Sequence, residues 1–415
     1  MLKVVKIRIY PTEEQEISLL KSFGCTRWLW NRFLAQNNEV YKETGKGLSR
    51  FDYQKQLPQL KKEFEWLSEV YSQCLQVICL NLSRAFINFF EGRARYPRFK
   101  SKHSKQSITY PQNVKVEGDY LKIPKVGNIF SRIHREITGK LKTVTLSKNP
   151  EGKYYASLLL EDGLPVATPS NKGKAIGLDL GLTDFVVTSD SSKIKQPKWM
   201  KKRQRNLKRK QQNLARKVKG SKGRDRARLL VAKTHSKVAR CREDFIHKLS
   251  RKIVNENQVI VVEDLHVKGM VQNPNLSKAI SQVGWGMFCT MLKYKAEAAG
   301  KVYLEVNRFF PSSKTCHVCL NVVGSLPLDI RSWICSSCTT RHDRDTSAAI
   351  NIKNEGLRIL VSQYGQGGVS PSGVTGEPVR ASGTGATAEG VSVSPKRGRK
   401  KSTVRQEPMN SEAHA

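Results

Sequence analysis

The stretch AIGLDLGLTDFVVT, residues 175–188, decides the fold of the second half of this chain. An apolar run ends at Asp179, a tight turn follows, and a second apolar run begins at Phe185, so the pattern predicts a strand, a turn and a strand. An unpaired carboxylate within a buried strand is costly, and bound metal ions would compensate that cost. Asp179 is therefore a candidate metal ligand.

Two further acidic residues follow buried or helical patterns downstream. The run VIVVED, residues 259–264, predicts a buried strand that ends in Glu263, and HDRDTSAAINI, residues 342–352, predicts a helix with Asp345 at its start. Two strand ends and one helix start can bring three carboxylates onto two metal ions about 3.5–4 Å apart. Hard carboxylate oxygens favour Mg²⁺ or Mn²⁺ over zinc. Together these acids predict a two-metal nuclease site.

Each acid taken alone also has a simple structural interpretation. Asp179 is compatible with a turn residue, Asp345 with a helix N-cap and Glu263 with a surface residue. Three nearby acids are weaker candidates for the site: Asp184 falls past the turn, Asp264 points to the opposite strand face from Glu263, and Asp343 lies two residues from Asp345. From the residues alone, Asp343 stays open as an alternative to Asp345.

Four cysteines between residues 316 and 338 form two C-x2-C pairs separated by fifteen residues. This spacing predicts a tetrahedral zinc ribbon whose four thiolates leave no open coordination position, so the zinc would be structural. The ligands would be Cys316, Cys319, Cys335 and Cys338. The neighbouring His317 and His342 are not assigned as ligands. The other five cysteines are scattered, which favours a reducing, cytoplasmic environment over a disulfide framework.

Composition indicates a nucleic-acid partner. The 415 residues carry a formal net charge of +38, and residues 201–240 contain 17 Lys or Arg against the single acid Asp225. A lopsided helical charge run of this kind is unstable unless a polyanion neutralises it. The alternative is a ribosome-associated or merely soluble basic protein. The sequence contains no run of about 18 apolar residues, so it predicts no membrane-spanning helix.

The first half predicts a small β-barrel interrupted by helices. Residues 3–10 alternate basic and apolar side chains as a strand does, residues 12–92 have helical spacing, and strand patterns return from about residue 107. An isolated first strand is unstable, so it must pair with the later ones. The segment EGRARYPRFKSKHSKQS, residues 91–107, fits either a nucleic-acid contact or a solvated linker.

Several motifs resemble TnpB, the transposon-encoded relative of type V CRISPR effectors. They are GLDLGLTDF (177–185), VVEDL (261–265), FFPSSKTCHVC (309–319), WICSSC (333–338) and HDRDTSAAINI (342–352). The resemblance covers about residues 1–358. It implies a multidomain α/β protein whose parts are a wedge-type β-barrel (1–12 and 106–172), a helical recognition domain (13–105), a split RuvC nuclease domain of RNase H-like fold (173–307 and 341–358), an inserted zinc ribbon (308–340) and a disordered tail (359–415).

The resemblance also implies a function. The family's catalytic acids map onto Asp179, Glu263 and Asp345, which favours Asp345 over Asp343, and Ser347 stands where the family usually has asparagine. The expected activity is Mg²⁺-dependent cleavage of double-stranded target DNA, directed by a guide RNA encoded at the transposon end, with one protein monomer per RNA. The alternatives are a RuvC-like nuclease that recognises branched DNA without a guide, and a catalytically idle RNA-guided regulator.

Overall fold

The computed structural model describes residues 1–103, 105–134, 136–165, 167–170, 172–327 and 329–364. The last helix continues to Tyr364, so residues 359–364 are helical and the predicted start of the tail at residue 359 is too early. Apolar side chains at helical spacing, including the buried Leu360, extend this helix past the predicted boundary. The rest of the predicted tail, including KRGRKK at 396–401, lies outside the described residues.

The first half contains seven strands and three α-helices among the described residues. In chain order they are β1 (Leu2–Tyr10), α1 (Glu13–Thr44), α2 (Arg50–Glu63), α3 (Ser72–Phe90), β2 (Gln106–Tyr110), β3 (Lys115–Glu117), β4 (Tyr120–Ile123), β5 (Gly127–Arg132), β6 (Lys140–Lys148) and β7 (Tyr154–Glu161). A short 3-10 helix, Glu65–Glu69, precedes α3. Helix α1 begins at a capping box formed by Thr12 and Gln15, and it ends at Gly45, whose φ of 69° stops the helix.

The strands form one antiparallel sheet in the order β2-β6-β7-β1-β5-β4-β3. The first strand pairs with β7 and β5, which confirms that it joins strands much later in the chain. Inward-facing Val5, Ile7 and Ile9 share one core with Leu19 and Phe23 of α1. Within the described ranges no ladder joins the edge strands β2 and β3, so the sheet is open and curled where a small β-barrel was expected.

The second half alternates strands and helices, as predicted. Its elements are β8 (Ala175–Asp179), β9 (Val186–Thr188), β10 (Lys193–Ile194), α4 (Lys198–Ala215), α5 (Lys222–Glu256), β11 (Val259–Glu263), α6 (Val267–Met270), α7 (Ser277–Val283), α8 (Trp285–Ala298), β12 (Val302–Val306), β13 (Ser332–Ile334), β14 (Arg341–Asp343) and α9 (Arg344–Tyr364). The basic helical region forms the pair α4 and α5, and the chain turns between them at Gly220 (φ 84°).

These elements form a sheet covered on both faces. The order is β10-β9-β8-β11-β12, with β8, β11 and β12 parallel. Ile176, Leu178, Ile260 and Val262 point to the face that α5 and α8 cover. The alternate residues of β11, such as Val261, point to the other face, which α9 covers. Burial of both faces explains why β8 and β11 are near-continuous apolar runs.

Two glycines let α9 lie directly on the sheet. A Cβ atom on Gly177 would lie 2.1 Å from the carbonyl oxygen of Ala349 and 2.6 Å from the backbone nitrogen of Lys353. A Cβ atom on Gly356 would lie 2.3 Å from a methyl group of Val261. Only hydrogen fits at either contact, so the helix is held at a close and fixed distance from β8 and β11.

Candidate active site and zinc ribbon

Asp179 and Glu263 end two adjacent parallel strands in the same register. Leu178 of β8 is paired with Val262 of β11, so the next residue on each strand is an acid. Residues at matching positions of parallel neighbours project to the same face of a sheet. Both carboxylates therefore project from one edge of the sheet, on the face that α9 covers.

Helix α9 brings Asp345 to the same edge. Ala349 contacts Gly177, two residues before Asp179 on β8, and Asp345 lies one helical turn before Ala349. Residues four apart share a helix face, and two strand residues span about the same length as one helical turn. The Asp345 carboxylate acts on the pKa of Asp179, so Asp345 lies near the end of β8. The structure thus gathers the three predicted acids from β8, β11 and α9.

The pKa of Asp179 is affected by the other two acids, which shows that they lie nearby. Burial raises the pKa of Asp179 to about 7, and the carboxylates of Asp345 and Glu263 act in the same direction, against the Arg344 guanidinium. Burial also raises the pKa of Glu263 above its usual range, with a contribution from Asp264. Such a cluster concentrates negative potential that a divalent cation would relieve, and its oxygen donors are those that Mg²⁺ prefers.

Two of the three weaker acidic candidates, Asp343 and Asp264, have other partners. Asp343 accepts a hydrogen bond from the backbone N–H of Thr346 at 3.0 Å and pairs with Lys193 at 2.7 Å, so it caps α9. Asp264 pairs with Arg308. Asp184 is buried in the turn between β8 and β9. The role of Lys193 as the partner of Asp343 was not predicted, because Lys193 belongs to none of the sequence motifs.

The four predicted cysteines come together as a metal-ligand set. Their sulfur atoms all lie within 4.8 Å of one another, a spacing that no other group of three Cys, His, Asp or Glu side chains reaches in the described part of the chain. Hydrogen bonds from Thr340 lower the pKa of the Cys338 thiol, which favours the thiolate that zinc binds. Nε2 of His342 lies 3.1 Å from Sγ of Cys316, so this buried histidine contacts a ligand. The donor set fits zinc.

The zinc ribbon is fastened to the helix that carries Asp345. Asn351 of α9 donates to the carbonyl oxygens of Ser312 and Thr315, at 2.8 and 2.7 Å, just before the first knuckle. Ser347 is buried, and its Oγ lies 3.1 Å from Nδ1 of His317 inside that knuckle. The serine therefore contacts the ribbon, on the same helix as Asp345.

An arginine of the ribbon also reaches the acids. Nη1 of Arg331 donates to Oδ1 of Asp345 at 3.2 Å. Arg331 is brought there by the β13–β14 hairpin, whose second strand ends at Asp343, three residues beyond the predicted end of the ribbon at 340. This pair could not be predicted from sequence, because it depends on the register of the hairpin.

Two surfaces of the molecule combine positive charge with exposed aromatic rings. On the first sheet, the rings of Tyr10 and Phe130 have centroids 5.8 Å apart, those of Phe130 and Tyr120 are 5.7 Å apart, and the Arg8 guanidinium lies 5.0 Å from the Tyr10 ring. On α4, Arg203 lies 5.5 Å from the ring of Trp199. Aromatic rings among cations can stack on bases while the cations contact phosphates.

The basic segment over 91–107 is docked on α1. Asn31 exchanges two hydrogen bonds with the backbone of Lys100, at 2.9 and 2.8 Å, and the indole of Trp30 donates to the carbonyl oxygen of Arg98 at 3.0 Å. Phe99 is exposed between these anchors. The described part of the segment is thus fastened to a helix, and its contact with nucleic acid stays a prediction.

Neutralising Asp179 is expected to stabilise the protein without magnesium. A raised carboxyl pKa favours the protonated form of the folded state, so the free energy of unfolding falls as pH rises from about 4 to about 7. At pH 8, Asp179→Asn should raise that free energy by about 1–3 kcal/mol in magnesium-free buffer that keeps the zinc. Urea unfolding at pH 5 and pH 8 measures this, with the exposed Asp190→Asn as the matched control. If Asp179→Asn had the wild-type free energy of unfolding at pH 8, the clustering of the three acids would be contradicted.

Comparison with protein families gives three matches along the chain. Residues 157–274 match the OrfB_IS605 family, described as a probable transposase, and residues 285–352 match a Cas12f1-like TNB domain. Residues 1–46 match a family described as a helix-turn-helix domain, although the structure places a strand and the single helix α1 there. The described helices are not long and apolar enough to cross a membrane.

Known proteins resemble the chain over most of its length. A protein of Streptomyces pristinaespiralis named "Putative RNA-guided DNA endonuclease" is 37% identical over 362 residues, which are 86% of this chain and 89% of the relative. InsQ of Escherichia coli K12, with the same description, is 30% identical over 379 residues, 86% of this chain and 93% of the relative. The cryo-EM structure of a Cas12f1–sgRNA–target DNA complex matches with a TM-score of 0.54 at 12% identity, covering 85% of this chain and 99% of that one, which shows a common fold.

Proposed function

The chain belongs to the OrfB family of IS605-type transposases, which includes TnpB-like proteins, and from this membership we propose that it is an RNA-guided DNA endonuclease of a transposable element. It would bind a transposon-derived guide RNA and cleave target DNA next to a short transposon-associated motif. The relatives from Streptomyces and Escherichia coli carry names that describe this activity. The sequence of the target would be read by base pairing with the guide.

The observation that carries the proposal is the gathering of three carboxylates at one sheet edge. Asp179 and Glu263 project from adjacent parallel strands, and Asp345 begins the helix packed on that face. We propose that these residues hold two magnesium ions. Magnesium bound there would supply an activated water molecule and neutralise charge on the leaving 3′ oxygen. The chain itself contributes the fixed positions of the carboxylates, since Gly177 and Gly356 set the distance between helix and sheet.

The other parts of the chain have proposed roles that follow from their surfaces. The first sheet and α1–α3 would act as the wedge and recognition parts, and the exposed ring row of Tyr10, Phe130 and Tyr120 would contact the guide RNA. The RuvC nuclease part would comprise 173–307 and 341–364. Helices α4 and α5 would neutralise nucleic-acid phosphates with their exposed lysines and arginines.

The zinc ribbon has a proposed structural role. Four thiolates fill the tetrahedral coordination of zinc and leave no position for a substrate. The ribbon would therefore act through α9, whose Asn351 and Ser347 it contacts, and through Arg331 beside Asp345.

The test is to purify the protein after expression with flanking transposon DNA and to sequence any bound RNA. The complex is then incubated with Mg²⁺ and a plasmid library that carries the matching target beside randomised flanks. We expect one discrete RNA, guided cleavage beside a preferred flank, and no cleavage by the Asp179→Ala variant. A discrete RNA without cleavage would favour a DNA-binding regulator. Cleavage without RNA would favour a structure-directed nuclease.

A further inference from the structure

One aromatic side chain in the turn after β12 is almost fully exposed to solvent. Phe309 is 86% exposed, the highest value among the large hydrophobic side chains in the described part of the chain. Its neighbour Phe310 packs in the core formed by β11, β12 and α9. Packing in the core accounts for a phenylalanine at position 310. It does not account for one at position 309, because apolar surface that stays exposed contributes nothing to folding.

The turn that carries Phe309 is held by hydrogen bonds of Phe309 itself and of the residues before and after it. Nε of Arg308 donates to Oδ2 of Asp264 at 3.1 Å, and its Nη2 contacts the same oxygen. The backbone N–H of Phe309 donates to Oδ1 of Asn307 at 2.9 Å, and that of Phe310 donates to the carbonyl oxygen of Asn307 at 2.9 Å. The ring is thus presented from an ordered turn, at little further entropic cost on binding.

This turn follows the strand that pairs with the Glu263 strand. Strand β12 runs beside β11, and Val306 at its end is paired with Glu263. The backbone N–H of Asp264 donates to the carbonyl oxygen of Val306 at 2.9 Å. The turn over 307–310 therefore begins beside Glu263, between the nuclease sheet and the zinc ribbon.

We infer that Phe309 stacks on an unpaired base of the DNA strand entering the acid site and thereby holds the adjacent phosphodiester over Asp179, Glu263 and Asp345. The inference rests on the proposed nuclease function and adds a positioning residue to it. An aromatic ring accepts any base, because every base offers a π face, so the contact suits a nuclease whose sequence is chosen elsewhere. Stacking requires a base that is not paired, so Phe309 favours single-stranded over duplex DNA at the site.

Binding and cleavage are measured separately to test this. Single-stranded DNA with 2-aminopurine at successive positions is bound to the RNA-loaded protein in Ca²⁺, and stacking is read as quenching of its fluorescence. Phe309→Trp should keep quenching at one position, whereas Phe309→Ala and the size-matched Phe309→Leu should lose it. In Mg²⁺, the Ala and Leu variants should cleave guided DNA about 5- to 150-fold more slowly, which corresponds to one lost stack of about 1–3 kcal/mol.

A second comparison separates positioning from a structural role. An abasic site at the quenched position should slow the wild-type protein but not Phe309→Ala, whose stack is already gone. Equal quenching in wild type and Phe309→Ala, or equal abasic sensitivity, would overturn the inference. A wild-type protein that quenches but does not cleave would support stacking and contradict the nuclease function.

Discussion

Replacement of Asp345 by asparagine is expected to reduce guided DNA cleavage by about 10³-fold or more, because a metal-held carboxylate contributes several kcal/mol of transition-state stabilisation. Asp345 shares an edge with Asp179 and Glu263 and acts on the pKa of Asp179. Asparagine keeps the shape of the side chain and removes its charge, so the fold should persist. Single-turnover cleavage of a matched plasmid target in Mg²⁺ measures the loss.

Asp343 provides the matched control two residues away. Its carboxylate accepts from the backbone N–H of Thr346 and pairs with Lys193, and asparagine is an equally good helix cap. Asp343→Asn should therefore cleave within a few-fold of the wild-type rate. If Asp343 proved essential and Asp345 dispensable, the result would show that Asp343 is the metal ligand instead of Asp345. Guide RNA binding should be unchanged in both variants, which separates catalysis from assembly.

The parts of the site that the sequence predicted were those that depend on local pattern. Apolar runs that end in an acid located Asp179 and Glu263 at strand ends, and the cysteine spacing located the ribbon, because each signal lies within a few residues of chain. Such features are fixed by short-range geometry and can be recognised in one sequence.

What the sequence did not predict depends on contacts between distant segments. The pair between Arg331 and Asp345 depends on the register of the ribbon hairpin, and the ring row of Tyr10, Phe130 and Tyr120 depends on the pairing of β5 with β1 and with β4. Whether the first sheet closes depends on its two edge strands. A shift of one residue would send those rings to the core, so only the paired sheet reveals them.

Loss of zinc is expected to abolish guided cleavage while the first half of the protein stays folded. A structural zinc ion contributes about 10–16 kcal/mol of binding free energy in small domains, and the ribbon has only a minor core of its own around Trp333. Cys335→Ser should bind no zinc and lose ribbon order. The carbonyl groups of Ser312 and Thr315 would then no longer hold Asn351, and the start of α9 with Asp345 would lose its anchor.

Three variants distinguish loss of the metal from loss of the anchor. Cys241→Ser, at a cysteine outside the ribbon, should keep zinc and full cleavage. Asn351→Ala should keep zinc yet cleave about tenfold more slowly, because a supporting hydrogen bond of this kind typically alters activity 10- to 100-fold. Cys335→Ser should fail to cleave but still bind guide RNA, since the core of the first sheet and α1–α3 does not include the ribbon. A zinc-free Cys335→Ser protein that cleaves at the wild-type rate would show that the ribbon does not position Asp345.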